Sequence, residues 1–190
     1  IDLPNSLTTI EAGAFQSCTA LTSIDLPDSL TTIGNSAFFN CSSLTSIDLP
    51  DSLTTIGGDA FFNCSSLTSI DLPNSLTSIG DEAFLACSGL TSLTLPNSIT
   101  TIGDFAFSDC SGLTEVTVAW QMPLVIDPLV FSGLTLSGIT LKVPEGKVAT
   151  YEAAAVWTDF SPIVENIVCF TIAGLQYCEI DSANVRVTKA

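Results

Sequence analysis

The chain has 190 residues, 46% of them hydrophobic and 13% charged, with 20 acidic against 4 basic side chains, a net charge of −16 and no histidine. The length fits one ordinary domain or two very small ones. The acidity argues against nucleic-acid binding, which needs Lys and Arg to neutralise phosphate, and the missing histidine removes His-based triads, His metal sites and His acid–base chemistry. No apolar run approaches the roughly 18 residues of a membrane span. Residues 1–141 contain no Lys or Arg and carry 14 acidic groups, from Asp2 to Asp127. All four basic residues, Lys142, Lys147, Arg186 and Lys189, follow. That composition shift marks off residues 1–141 from a cap over 142–165, and the strand patterns after Glu165 set off a tail over 166–190.

The first segment is periodic. Leu3-Pro4, Leu26-Pro27, Leu49-Pro50, Leu72-Pro73 and Leu95-Pro96 recur every 23 residues, as do Phe15 to Phe107 and Cys18 to Cys110. The middle copy reads Leu44-x-x-Ile47-x-Leu49-Pro50-x-x-Leu53-x-x-Ile56-Gly57-x-x-Ala60-Phe61-x-x-Cys64. A strict period of this length is the signature of a leucine-rich-repeat solenoid. The expected fold is a right-handed solenoid of 23-residue coils with parallel strand ladders and short helical or 3-10 turns.

Within one coil, Ile47-x-Leu49 alternates, which predicts a strand with Asp48 outward, ended by Pro50. Leu53 and Ile56 give a second inward pair, and Gly57 is expected to allow a sharp turn. Ala60, Phe61 and Cys64 have the spacing of one helical or 3-10 turn. Stacked coils bury Leu on Leu and Phe on Phe, each contributing roughly 1.5–3 kcal/mol.

The register then decays. Phe107 to Phe131 spans 24 residues, while Val116 to Ile139 and Val118 to Leu141 remain 23 apart and are expected to stack. Pro144 to Trp157 reads as a short helix with Tyr151 and Ala154 or Ala155 against the solenoid end, a C-terminal cap completed by Phe160, Ile163 and Val164. Val168–Ile180 and Val185–Lys189 are alternating strand patterns around Gly174, a β-hairpin tail.

The coil Ile47-Asp-Leu-Pro-Asp-Ser-Leu-Thr-Thr-Ile-Gly-Gly-Asp-Ala-Phe-Phe-Asn-Cys-Ser-Ser-Leu67 resembles the leucine-rich repeat of BspA-like bacterial surface proteins of the Bacteroidetes type. Trp120-Gln-Met-Pro123, Leu141-Lys-Val-Pro144, Tyr151, Trp157-Thr-Asp-Phe160 and Ile163-Val-Glu165 resemble the closing coil and cap of such proteins. The resemblance covers residues 1 to about 165. It implies a secreted or surface-anchored protein for adhesion or host contact, and carries no catalytic residues. The chain opens at Ile1, in mid-repeat and without a signal peptide, so a processed or truncated chain is expected. Similar strands in this family introduce a further block, so more protein is expected after Ala190.

Each chemical feature has two readings. The five repeat cysteines form either a buried, reduced, inert ladder or disulfides between neighbouring coils, about 4.8 Å apart. Packing favours the first, because equivalent side chains point in parallel. Asp2, Asp25, Asp48 and Asp71 form an outward column beside Ser23, Ser46, Ser69 and Ser92, with Asn5, Asp28, Asp51, Asn74 and Asn97 in a second column. The columns are either a weak Ca²⁺ strip or a solvated face, and the Asn and Thr substitutions along them break any repeated cage. Trp120 and Met122 stand where earlier coils carry small polar groups. Trp120 is a candidate partner anchor or packs into the terminal coil. The adjacent Thr pairs, such as Thr54-Thr55, can turn only one member outward.

The candidate partner-binding residues are therefore Ser46, Asp48, Ser69, Asp71 and Trp120. No catalytic residue and no cofactor is expected. The preferred function is a non-enzymatic surface module binding an extracellular protein. A carbohydrate-binding or cation-dependent module using the Asp columns and Trp120 is the alternative, and a hydrolase with a carboxylate pair is a weaker third. Finally, a two-residue turn at Ala173-Gly174 sets Cys169 opposite Cys178, within reach of a disulfide if the strands pair in that register.

Overall fold

The structure, a computed structural model, describes residues 2–172, 175–181 and 184–188, with side chains over residues 2–167. It is a parallel-strand solenoid of about seven turns. One ladder comprises β1 (Thr9–Ile10), β2 (Thr32–Ile33), β3 (Thr55–Ile56), β4 (Ser78–Ile79) and β6 (Thr101–Ile102), in that spatial order. A second comprises β5 (Ser92–Leu95), β7 (Glu115–Val118), β8 (Thr140–Val143) and β9 (Ile163–Glu165).

The apolar repeat builds the core between these ladders. Leu30, Leu53 and Leu76 are fully buried, as are Phe38, Phe61, Phe84 and Phe107. The rings stack face to face, with centroids 5.1–5.3 Å apart from Phe15 to Phe107. Pro50 closes a turn in which Leu53 N–H donates to the Pro50 carbonyl at 3.0 Å. Ser52 Oγ in the same turn donates to the Leu30 carbonyl of the preceding coil at 2.6 Å.

Gly57 stands directly before the expected turn, which spans residues 58–63. Its φ lies outside the left-handed region, but a Cβ there would sit 2.7 Å from Asn35 N and 2.8 Å from Gly34 C. The glycine column Gly34, Gly57, Gly80 and Gly103 thus lets the backbones of neighbouring coils touch. The arc that follows is a chain of turns with two interleaved bond sets. Phe39 and Cys41 N–H donate three residues back, to Ser36 and Phe38, as in a 3-10 turn. Ser36, Phe38 and Asn40 N–H instead donate forward, to Gly58, Ala60 and Phe62 of the next coil. Ser36, Asn40, Asp59 and Asn63 take positive φ of 53–58° to reach both partners. Bonds elsewhere run backward: Thr54 N–H to Thr31 and Gly57 N–H to Ile33.

The expected strand at Ile47–Leu49 is not a regular one. Ile24, Ile47 and Ile70 point inward, but a ladder forms on this side only from β5 onward. The coils without it carry Asp25, Asp48 and Asp71, whereas Thr94, Thr117 and Lys142 stand there in β5, β7 and β8. Like charges directly opposite one another disfavour strand pairing, and Asp is a poor strand former.

The terminal coil departs from the expected register. Val116 pairs with Leu141 rather than stacking on Ile139, a step of 25 residues. One residue is gained before Phe131, which still stacks on Phe107 at 5.8 Å, and another after it. A two-residue slip keeps inward side chains inward, so Leu141 and Val143 are fully buried. The cap helix is shorter than expected, α1 (Val148–Glu152), followed by a 3-10 turn at Trp157–Asp159. Tyr151 and Phe160 are buried and Ala154 half-buried, while Ile163 and Val164 belong to β9, which adds a further rung to the ladder. Beyond it β10 (Val168–Ile172), β11 (Leu175–Asp181) and β12 (Asn184–Thr188) form an antiparallel sheet. The expected turn at Ala173-Gly174 lies outside the described residues.

Candidate functional site

The strand-side face of the early coils is built by alternation. Ile47 and Ile70 turn into the core, so their neighbours Ser46, Asp48, Ser69 and Asp71 turn out and are exposed. The adjoining threonine row is occupied in holding the stack. Thr45 Oγ1 donates to the Thr22 carbonyl at 3.1 Å, and Thr114 Oγ1 to Thr91 at 3.1 Å. The backbone bonds along this row vary in length: Thr68 and Thr91 N–H reach their acceptors at 3.4 Å, against 3.0 Å at Thr45 and Thr114. Ser46, Asp48, Ser69 and Asp71 make no side-chain hydrogen bond or ion pair to any described residue. They are thus brought together on one face and left available.

The acids do not gather. Asp25, Asp48 and Asp71 repeat one per coil, and Asp28 and Asp51 form a parallel exposed column. Among the described residues no three His, Cys, Asp or Glu side chains are grouped so as to hold a metal ion. A hollow of about 320 Å³ at the first coils is lined by Asp2, Asn5, Asp25, Leu3, Leu26 and Pro27. Its acid pair is the ordinary column spacing, with no singular arrangement of carboxylates.

Of the two readings of Trp120, packing into the terminal coil holds, and the surface-anchor candidate does not. The residue is only 7% exposed, and its Nε1–H donates to the Ile99 carbonyl at 3.0 Å. Tyr151 Oη donates to the Trp120 carbonyl at 2.8 Å, and the Trp157 ring lies 6.0 Å away. The closing coil must cover a stack end, and this aromatic cluster does so. The carbohydrate-binding alternative thereby loses its aromatic surface. The most exposed apolar residues of this region are instead Met122 at 70% and Val125 at 96%.

The face also holds an ion pair that sequence reasoning missed. Lys142 Nζ lies 2.8 Å from Glu115 Oε2. A 23-residue step would have set Lys142 opposite Ala119. The observed register sets it opposite Thr117, two pairs along from Glu115 and so on the same face.

The cysteine ladder is buried at Cys41, Cys64, Cys87 and Cys110, exposed at Cys18, and unbridged at all five. The Cys64 and Cys87 thiols donate to the Phe38 and Phe61 carbonyls of the preceding coil at 3.2 and 3.1 Å. Burial pushes the Cys41 thiol up to about 11 and those of Cys64 and Cys110 up to about 12, far from the thiolate that reacts.

A parallel stack of 23-residue coils, with Leu, Ile and Phe columns inside and a polar strand-side face, defines a leucine-rich-repeat protein. The family model of the BspA type leucine rich repeat region matches it in six copies, over residues 1–114 and 31–149, and the chain belongs to that family. Among solved structures it resembles a leucine-rich repeat protein from Bacteroides ovatus, with 27% identity and a TM-score of 0.62 over 83% of this chain and 49% of that one. It also resembles the T. pallidum leucine rich repeat protein, with 30% identity and a TM-score of 0.59 over 84% and 63%. A leucine rich cell surface protein from Faecalibacterium prausnitzii shares 26% identity with a TM-score of 0.55 over 90% and 46%. The chain thus spans between about half and two thirds of the length of these structures. No curated protein matches it. Among the described residues no helix is long and apolar enough to cross a membrane.

Proposed function

We propose that this chain is a non-enzymatic interaction module of a cell-surface or secreted protein, and that it binds an extracellular protein through its strand-side face. The observation that carries this reading is the exposed, unengaged row Ser46, Asp48, Ser69 and Asp71, beside a threonine row already committed to the stack. An extended solenoid face offers area without a deep pocket, which suits a large partner. The cell-surface description of the Faecalibacterium prausnitzii relative supports the location. With 14 acids and no base over residues 1–141, the partner's contact surface is basic, and electrostatic steering sets the on-rate.

The test is surface plasmon resonance against a panel of purified extracellular-matrix proteins at low and physiological salt. A basic member is expected to bind with a salt-sensitive on-rate. The double variant Asp48→Ser/Asp71→Ser is expected to slow that on-rate several-fold with little change in the melting midpoint. Unchanged binding by the double variant, or binding insensitive to salt, would remove this face from the proposal.

A further inference from the structure

The chain contains seven cysteines, and they fall into two groups. Five belong to the coil repeat and are unbridged. Four of those five are buried, each donating its thiol proton to a phenylalanine carbonyl one coil back, at 3.1–3.2 Å. The other two, Cys169 and Cys178, lie on β10 and β11.

Those two strands pair antiparallel, with Ile172 opposite Leu175, Thr171 opposite Gln176, Phe170 opposite Tyr177 and Cys169 opposite Cys178. Two residues separate the closing pair, and in such hairpins the closing pair is the hydrogen-bonded one. Hydrogen-bonded and non-hydrogen-bonded pairs then alternate along the ladder. Three steps out, Cys169 and Cys178 occupy a non-hydrogen-bonded position, where paired Cα atoms approach to about 4.5 Å. That lies within the 4.4–6.8 Å over which a disulfide closes without moving the backbone, on the order of one residue spacing.

We propose that Cys169 and Cys178 form a disulfide across β10 and β11, the one bridge that this chain takes. The oxidant is a small-molecule disulfide such as oxidised glutathione. One cysteine thiolate attacks a sulfur of that disulfide, breaking its S–S bond, forming a mixed disulfide and expelling one glutathione thiolate. The second cysteine thiolate attacks the protein-side sulfur, forming the Cys169–Cys178 bond and expelling the second. The two protein thiols give up two protons and two electrons, and the oxidant leaves as two reduced thiols. The buried ladder cysteines take no part, because their sulfurs are withdrawn into the stack. Cys18, the exposed one, belongs to the first coil, whereas β10 follows the last.

The experiment equilibrates the full chain in a largely oxidised glutathione buffer, quenches with acid, then denatures, alkylates and digests with trypsin. Cleavage after Lys147 and Arg186 gives one peptide, residues 148–186, holding both cysteines and no other. The expected peptide carries no alkyl group and is lighter by two hydrogens than its reduced form. It gains two alkyl groups after dithiothreitol. The control Cys178→Ser is expected to leave glutathione on Cys169, since nothing resolves the mixed disulfide. Two alkyl groups without reductant, a glutathione adduct retained on the parent peptide, or a crosslink to a ladder cysteine would each overturn the proposal.

Discussion

At Gly57 the side chain is missing because the backbone of the neighbouring coil occupies its place. Glycine to alanine ordinarily stabilises by about 0.4–1 kcal/mol where the conformation allows it. Here the added carbon would sit 2.7 Å from Asn35 N, so Gly57→Ala is expected to cost roughly 1–3 kcal/mol, the usual range for overpacking. At Gly138 a Cβ meets nothing within 4 Å, so Gly138→Ala is expected to be neutral or slightly stabilising. Urea unfolding of the two variants checks the contrast, and equal stabilities would contradict it. The buried thiols make a second residue-scale prediction. Burial raises Cys64 from its ordinary 9.0 to about 12, so the folded chain holds that proton after the unfolded chain has released it. Stability from this site is complete below pH 9 and falls as pH rises from 9 towards 12. Cys64→Ser, which cannot titrate there, is expected to lose less stability than the parent between pH 8 and 10.5 in urea melts.

The strand-side element shows how a column of identical side chains can work against its own ladder. Asp48 and Asp71 sit where Thr94 and Thr117 allow β5 and β7 to pair over four residues. The double variant Asp48→Thr/Asp71→Thr is expected to extend that ladder toward the first coils, gaining about 0.2–1 kcal/mol per cross-strand pair. Hydrogen exchange should then show new amide protection at residues 46–49 and 69–72, and unchanged protection would sink the idea. Much of the fold was legible because a side chain packed against its own copy must keep register: Ile47, Leu53, Ile56, Phe61 and Cys64 all lie where the spacing predicts. What depends on backbone meeting backbone was not legible. The missing ladder at the Asp column, the glycine contacts and the left-handed residues of the arc leave no mark in an apolar pattern. Nor could periodicity find the 25-residue step at β8, and with it the Glu115–Lys142 pair. Trp120 was ambiguous in sequence because the partners that bury it, Tyr151 and Trp157, follow only after the repeat has ended.

Over the whole molecule, stability is shared between neighbouring coils, so its weakest point is wherever a coil lacks a neighbour. At the C-terminal end Trp157 supplies one. It is fully buried, its Nε1–H donates to the Leu124 carbonyl at 2.8 Å, and it packs against Tyr151, Phe131 and Phe160. Trp157→Ala is expected to cost about 3–5 kcal/mol. Hydrogen exchange should show protection lost first in β7, β8 and β9, with β2 to β4 opening later. A uniform loss along the stack would show that the coils open as one unit instead. The two directions of hydrogen bonding between coils also fix how the stack behaves electrically. In an α-helix every peptide dipole points the same way, so they add along the axis. Here Ser36, Phe38 and Asn40 donate forward along the arc while Thr54 and Gly57 donate backward on the other sides. The opposed bonds largely offset one another. Lengthening the stack therefore builds little axial dipole, and the long-range field of the molecule is dominated by its carboxylates.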